Sequence, residues 1–139
     1  MKRFLVAAQE GDANSQFNLG VMYDNGVDDN NHALEGNRKE AIKWLSLAAK
    51  QGLPRAQIKL AELYADSWAS PQDQDYVKAC TWFLLGMMNS IGIHRAKAKS
   101  AYDRIFPRLT PAQAAKVKRR VRTWKPARPG GEYLSSTSL

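Results

Sequence analysis

Apolar residues recur every three or four positions over most of the chain, and polar residues separate them. Leu60, Leu63 and Tyr64 form one such stripe. This spacing places the apolar side chains on one face of an α-helix, because a turn takes about 3.6 residues. The pattern predicts an all-α chain with helices over 2–10, 13–25, 38–51, 53–66, 74–89, 92–106 and 110–124.

Two stretches of the chain carry the same residue types in the same order, 41 positions apart. Residues 7–23 read AAQEGDANSQFNLGVMY, and residues 48–64 read AAKQGLPRAQIKLAELY. A fixed period of this length is typical of helical repeat proteins. The identical pairs are Ala7 and Ala48, Ala8 and Ala49, Gly11 and Gly52, Gln16 and Gln57, Leu19 and Leu60, and Tyr23 and Tyr64.

The recurring residues suit a pair of antiparallel helices. Gly11 and Gly52 lie where one helix ends and the next begins, which predicts a left-handed cap at each. Gly20 and Ala61 are small and allow a neighbouring helix to approach closely. One pair cannot bury its apolar face alone, so the pairs must stack. A second match follows each copy, because Ala41 and Trp44 recur 38 positions later as Ala79 and Trp82. Recurrence favours core packing for four aromatic residues, namely Tyr23, Tyr64, Trp44 and Trp82.

The repeat resembles that of the Sel-one-like repeat family, relatives of the tetratricopeptide repeats. The family pattern is AA-x-x-G-x-x-x-A-Q-x-x-L-G-x-x-Y, then a Gly-rich loop, then A-x-x-W. The resemblance covers about residues 1–92, and the second copy departs from it because its loop SWASPQDQD has no glycine. It implies a short right-handed α-solenoid of antiparallel helix pairs, a tetratricopeptide-like α–α superhelix. It also implies a non-enzymatic scaffold, an adaptor or regulator that mediates protein–protein interaction.

The repeat divides the chain into five segments. Thr110 as N-cap, Pro111 at the first helical position and Gln113 completing a capping box predict a distinct last helix. The Pro, Gly and Ser content after Trp124 predicts a disordered tail. The segments are a partial repeat with only its second helix over 1–10, repeat 1 over 11–51, repeat 2 over 52–91, a degenerate third repeat with the capping helix over 92–124, and the tail over 125–139.

The first segment corresponds to the last part of a second helix without its partner. Such an end leaves Phe4 and Val6 partly exposed, and exposed apolar residues favour self-association. The sequence leaves open whether Met1 is the native start or a boundary within a longer repeat array.

A candidate partner-binding surface follows from the repeat geometry. In stacked pairs the first helix of each pair lines the concave side, and the resemblance implies a protein or peptide partner there. A solvated face without a partner is the alternative. Trp68, in a loop without a counterpart in the first copy, is a candidate aromatic anchor unless it folds back onto the helices. The candidate residues of the concave face are Asn14, Asn18, Arg55, Lys59 and Glu62.

The positive charge is concentrated near the end of the chain. The net charge is +8, and residues 108–128 hold eight of the 21 Lys and Arg with no acid among them. This basic segment favours an alternative function, the binding of nucleic acid or an acidic partner. Only Trp124 offers stacking there and no nucleic-acid module is visible, so a solubilising outer face remains the competing interpretation. The candidate basic patch consists of Lys116, Arg119, Arg120 and Arg122.

Residues for catalysis or metal binding are sparse. His32, His94 and Cys80 are the only histidines and cysteine, and they lack metal-ligand spacing. We therefore expect no enzyme activity, cofactor or metal, and a buried Cys80. The first apolar run ends at Ala8, too short for a signal peptide, and no run is long enough to span a membrane. A cytoplasmic location is expected, with a periplasmic or secreted one left open if the true N-terminus is missing.

Overall fold

The computed structural model describes residues 2–28, 30, 32–33, 38–66 and 75–127. Within these ranges the secondary structure is helical, apart from one isolated bridge between Val27 and Ala33. Every predicted helix is confirmed, with ends that agree to within two residues. The helices are α1 Lys2–Gln9, α2 Ala13–Asn25, α3 Arg38–Lys50, α4 Pro54–Ala65, α5 Tyr76–Met88, α6 Gly92–Ile105 and α7 Pro111–Thr123, with a short 3₁₀ helix Phe106–Arg108 before α7.

The described residues form two compact units. The first contains the chain up to Ala56 together with Pro126 and Ala127, and the second contains Gln57–Lys125. The backbone N–H of Ala127 donates to the carbonyl of Lys50 at 2.6 Å, within the first unit. The rest of the predicted tail lies outside the described residues, as does Trp68.

In the first unit, α2 packs against both α1 and α3. Gly20 allows the predicted close approach, because a Cβ at this position would lie 2.5 Å from Cγ of Leu45. The predicted left-handed caps are confirmed, with φ of 101° at Gly11 and 99° at Gly52. The core contains Ala8, Leu19 and Trp44, flanked by Phe4, Leu5, Tyr23 and Leu47.

A buried amide network fixes the corner between α1 and α2. Nε2 of Gln16 donates to the carbonyl of Ala8 at 3.0 Å. Nε2 of Gln51 donates to the Gly11 carbonyl and to Oε1 of Gln16, both at 2.9 Å. Buried polar groups need partners, so the glutamine that recurs in the repeat holds the helix corner together.

In the second unit, α5 packs against α6 and α7. The capping box is confirmed: the Gln113 N–H donates to Oγ1 of Thr110 at 3.2 Å, and the Thr110 N–H donates to Oε1 of Gln113 at 2.9 Å. Cys80 is buried as predicted, and burial raises the pKa of its thiol to about 11. The buried residues of α5, α6 and α7 include Trp82, Phe83, Leu85, Ala98, Ile105 and Val117.

Candidate partner-binding surface

Two residues of the predicted concave face meet in the first unit. Nη2 of Arg55 donates to Oδ1 of Asn14 at 2.8 Å, and both side chains are exposed. The guanidinium also lies over the ring of Phe17, 5.0 Å from its centre. We call Asn14, Phe17 and Arg55 the Arg55 cluster. Asn14 and Arg55 occupy equivalent positions in successive repeats, so the cluster joins two first helices at the surface.

The start of α2 positions Asn14 in this cluster. Asp12 caps the helix by accepting from the backbone N–H of Ser15 at 2.9 Å and from its hydroxyl at 2.5 Å. These hydrogen bonds lower the pKa of the Asp12 carboxyl, the hydroxyl of Ser15 contributing most. The cap fixes the first turn of α2, because it satisfies a backbone donor that has no partner within the helix.

Phe17 was not among the residues predicted for this surface. It is half-buried, three residues after Asn14, and it does not belong to the apolar stripe that contains Leu19. The sequence does contain a signal for Phe17: it is an aromatic residue beside the apolar stripe, one turn from the candidate residue Asn14. Its ring holds the guanidinium in place by a cation–π contact.

The other predicted residues of this face are less available to a partner. Asn18 and Lys59 are half-buried. Oε2 of Glu62 lies 3.4 Å from Nζ of Lys97 on α6, so its charge is already paired within the second unit. Lys97 was missed by sequence reasoning, because the repeat pattern does not fix which residue of α6 faces α4.

The predicted basic patch lies on the outer side of α7. Lys116, Arg119 and Arg122 are exposed and Arg120 is half-buried, whereas Val117 on the opposite side is buried. Nζ of Lys118 lies 5.8 Å from the centre of the Phe106 ring. These basic side chains therefore lie on the side of α7 away from buried Val117.

The histidines are exposed, as expected for surface residues. Nδ1 of His32 lies 3.7 Å from Oδ2 of Asp28, and Oδ1 of Asp28 accepts from the backbone N–H groups of Asn30 and His32. The hydrogen bond from His32 contributes most to lowering the pKa of Asp28. Among the described residues, no three His, Cys, Asp or Glu side chains come close enough together to hold a metal ion.

The recurring tryptophans are core residues, as predicted. Trp44 and Trp82 are both buried, and their Nε1 atoms have no hydrogen-bond acceptor among the described residues. None of the described helices combines the length and apolar character that crossing a bilayer requires.

Solved structures with a similar fold include two repeat proteins. One is c5321, a protective antigen present in uropathogenic Escherichia coli strains and displaying an SLR fold, with a TM-score of 0.72 and 26% identity. The match covers 88% of this chain and 24% of c5321. The other is a Sel1 repeat protein from Oxalobacter formigenes, with a TM-score of 0.54 and 28% identity over 88% of this chain and 97% of that one. They confirm the predicted all-α solenoid class.

A curated relative is the DAP3-binding cell death enhancer 1 of Rattus norvegicus. It is 34% identical over 71 residues, which make up 51% of this chain and 13% of the relative. This chain therefore spans only a small part of that relative's length.

The sequence model of the Sel1 repeat matches residues 13–53 and 54–89, more than half of the chain. Proteins of this family are typically protein–protein interaction scaffolds and are generally non-enzymatic. The model matches two consecutive repeats, and the chain belongs to the Sel1 repeat family.

Proposed function

We propose that this chain is a non-enzymatic scaffold that binds a protein or peptide partner, as an adaptor or regulator, through the part of its predicted concave face that contains the Arg55 cluster. The Arg55 cluster is the observation that carries the proposal. It presents polar atoms from equivalent positions of two repeats, held in a fixed arrangement at the surface.

The chemistry of the cluster suits a main-chain carbonyl or a carboxylate of a bound segment. A guanidinium has five N–H donors in a planar fork. Asn14 accepts from one Nη atom and Phe17 lies against the face of the guanidinium, so N–H groups at its edge remain available to a partner. A guanidinium held in this way loses less conformational entropy on binding than a free one does.

The related proteins support a partner of the same general class. The rat relative is named for binding DAP3. We propose protein binding for this chain by that similarity, together with the family's usual role, and we assign no particular partner. A cytoplasmic location is part of the proposal, and the chain's one cysteine, buried as a free thiol, is compatible with a reducing compartment.

Charge reversal of Arg55 tests the proposal. Arg55→Glu removes both contacts of the guanidinium and repels a partner carboxylate. We therefore expect recovery of the partner to fall at least tenfold, which corresponds to a loss of about 1.4 kcal/mol of binding free energy. Lys39→Glu is the matched control, since Lys39 is also exposed but lies on α3, a second helix.

The measurement is quantitative affinity capture with both variants and the wild type, followed by titration of the purified partner. Circular dichroism must show unchanged helix content in both variants. Equal recovery with Arg55→Glu and Lys39→Glu would refute binding through the Arg55 cluster.

A further inference from the structure

Three large apolar side chains are exposed within six residues of one turn. Ile91 is 84% exposed, Ile93 79% and Met88 64%. These residues join α5 to α6 in the second unit, and we call Met88–Ile93 the α5–α6 turn. Single exposed apolar residues are ordinary, but a group of them rimmed by polar residues marks an interaction site.

The backbone of the turn is held in place by polar groups. The Asn89 side chain donates to the carbonyl of Leu85 at 3.0 Å, and the Ser90 hydroxyl donates to the carbonyl of Gly86. Gly92 has φ of 65° and nothing within 4 Å of the position a Cβ would take. The isoleucines are therefore presented on a defined turn that faces open space.

The start of α6 breaks a local rule of helix formation. Ile91 occupies the N-cap position and makes no side-chain hydrogen bond there. Ser, Thr, Asp or Asn would satisfy a backbone N–H at this position, whereas isoleucine has no acceptor. Natural proteins keep a residue that is unfavourable for its local structure mainly at functional sites, and Ile91 at this N-cap is such a residue.

The second unit, to which the turn belongs, carries an excess of cations, and two lysines of α6 are paired, Lys97 with Glu62 and Lys99 with Asp103. From Tyr76 to Ala127 the chain has 12 Lys and Arg, and Asp103 is its one acid. Exposed His94 and Arg95 follow Ile93 directly, and α7 with its basic patch packs on α5. Residues 57–125 hold 13 of the Lys and Arg and five of the acids, which accounts for the whole net charge of +8.

We propose that the α5–α6 turn docks the second unit on an anionic lipid surface. An anionic bilayer offers apolar acyl chains for Ile91 and Ile93 a few ångströms below phosphate and carboxylate groups for the surrounding cations. A second copy of this unit would bring like charges together, and a nucleic-acid backbone offers phosphates without an apolar layer. The proposal is independent of the Arg55 cluster, which belongs to other helices.

Vesicle sedimentation with the full chain tests the proposal. The vesicles are phosphatidylcholine alone, or phosphatidylcholine with about one third phosphatidylserine. We expect binding to the anionic vesicles only, and a loss of about tenfold in affinity for each of Ile91→Ser and Ile93→Ser. Val6→Ser is the matched control, measured at protein concentrations too low for a dimer: Val6 is 52% exposed on α1 in the first unit, and its replacement should leave binding unchanged.

A second measurement reports insertion directly. Ile91→Cys labelled with an environment-sensitive dye should shift its emission to the blue on anionic vesicles, while the buried Cys80 stays unlabelled. Equal binding to both kinds of vesicle, or unchanged binding by the variant carrying both serines, overturns the proposal. Retention on polyglutamate or duplex DNA without binding to vesicles also overturns it and assigns the cationic surface to an acidic protein or to nucleic acid.

Discussion

Gly20→Ala should destabilise the first unit, although alanine is the better helix former. A methyl group at this position would lie 2.5 Å from Cγ and 2.8 Å from Cδ2 of Leu45, and 3.3 Å from the carbonyl oxygen of Ala41. Leu45 is fully buried, so its branched carbon cannot move aside into solvent.

The expected magnitude is a balance of two effects. Replacing glycine by alanine inside a helix stabilises it by about 1 kcal/mol. Forcing one extra carbon into a packed core costs about 1–3 kcal/mol. The contact here falls on a buried branch point, so we take the upper part of that range. The net loss is then about 1–2 kcal/mol, which lowers the urea midpoint by about 1 M for a slope of about 1–2 kcal/mol per molar.

The assay is urea unfolding followed by circular dichroism, arranged as a double-mutant cycle with Leu45→Ala. The new methyl group occupies space that Leu45→Ala vacates, so we expect a coupling of about 1 kcal/mol between the two changes. Ser100→Ala on the exposed side of α6 measures helix propensity alone and should stabilise slightly. A Gly20→Ala variant as stable as the wild type would refute the close packing of α2 on α3.

Three further results are expected. Thr110→Ala should destabilise the second unit by about 1 kcal/mol, because α7 loses the capping box, and a variant with an unchanged melting temperature would contradict this role. The free energy of unfolding should decline as pH rises from about 9 towards 11, because the unfolded chain releases the Cys80 proton at a lower pH than the folded chain does. Cys80→Ala should remove this decline when unfolding is measured as a function of pH. We also propose self-association through Val6, which is exposed on α1. Light scattering should find a dimer whose share grows with concentration, and Val6→Glu should dissociate it. A wild type that stays monomeric at high concentration would exclude this self-association.

The sequence predicted the helices well because their signals are local. Apolar spacing, the glycines at the helix corners and the capping box of α7 each act within a few residues, and each was confirmed. The repeat offset also identified Asn14 and Arg55 as equivalent positions on the candidate surface.

The sequence pattern could not predict which side chains of different helices contact one another. The 41-residue offset aligns Asn14 with Arg55, but only the distance between helices decides that the long arginine side chain reaches the asparagine. The register of α6 likewise decides that Lys97 meets Glu62. Ile91 and Ile93 were included in or beside a predicted helix without any sign of exposure, because their exposure depends on where α5 ends and how Gly92 redirects the chain.

The distribution of charge allows salt to separate the two binding proposals. Residues 1–56 hold seven Lys and Arg and seven Asp and Glu, whereas the net positive charge belongs to residues 57–125. Lipid binding through many exposed cations depends on potentials that physiological salt screens over about 8–10 Å. The Arg55 cluster acts at short range through one guanidinium held against a ring, which salt affects less. A rise in salt should therefore release the chain from anionic vesicles and change recovery of the protein partner only slightly. If both fall in parallel, the Lys and Arg of residues 57–125 carry both activities and the Arg55 cluster is not the partner-binding surface.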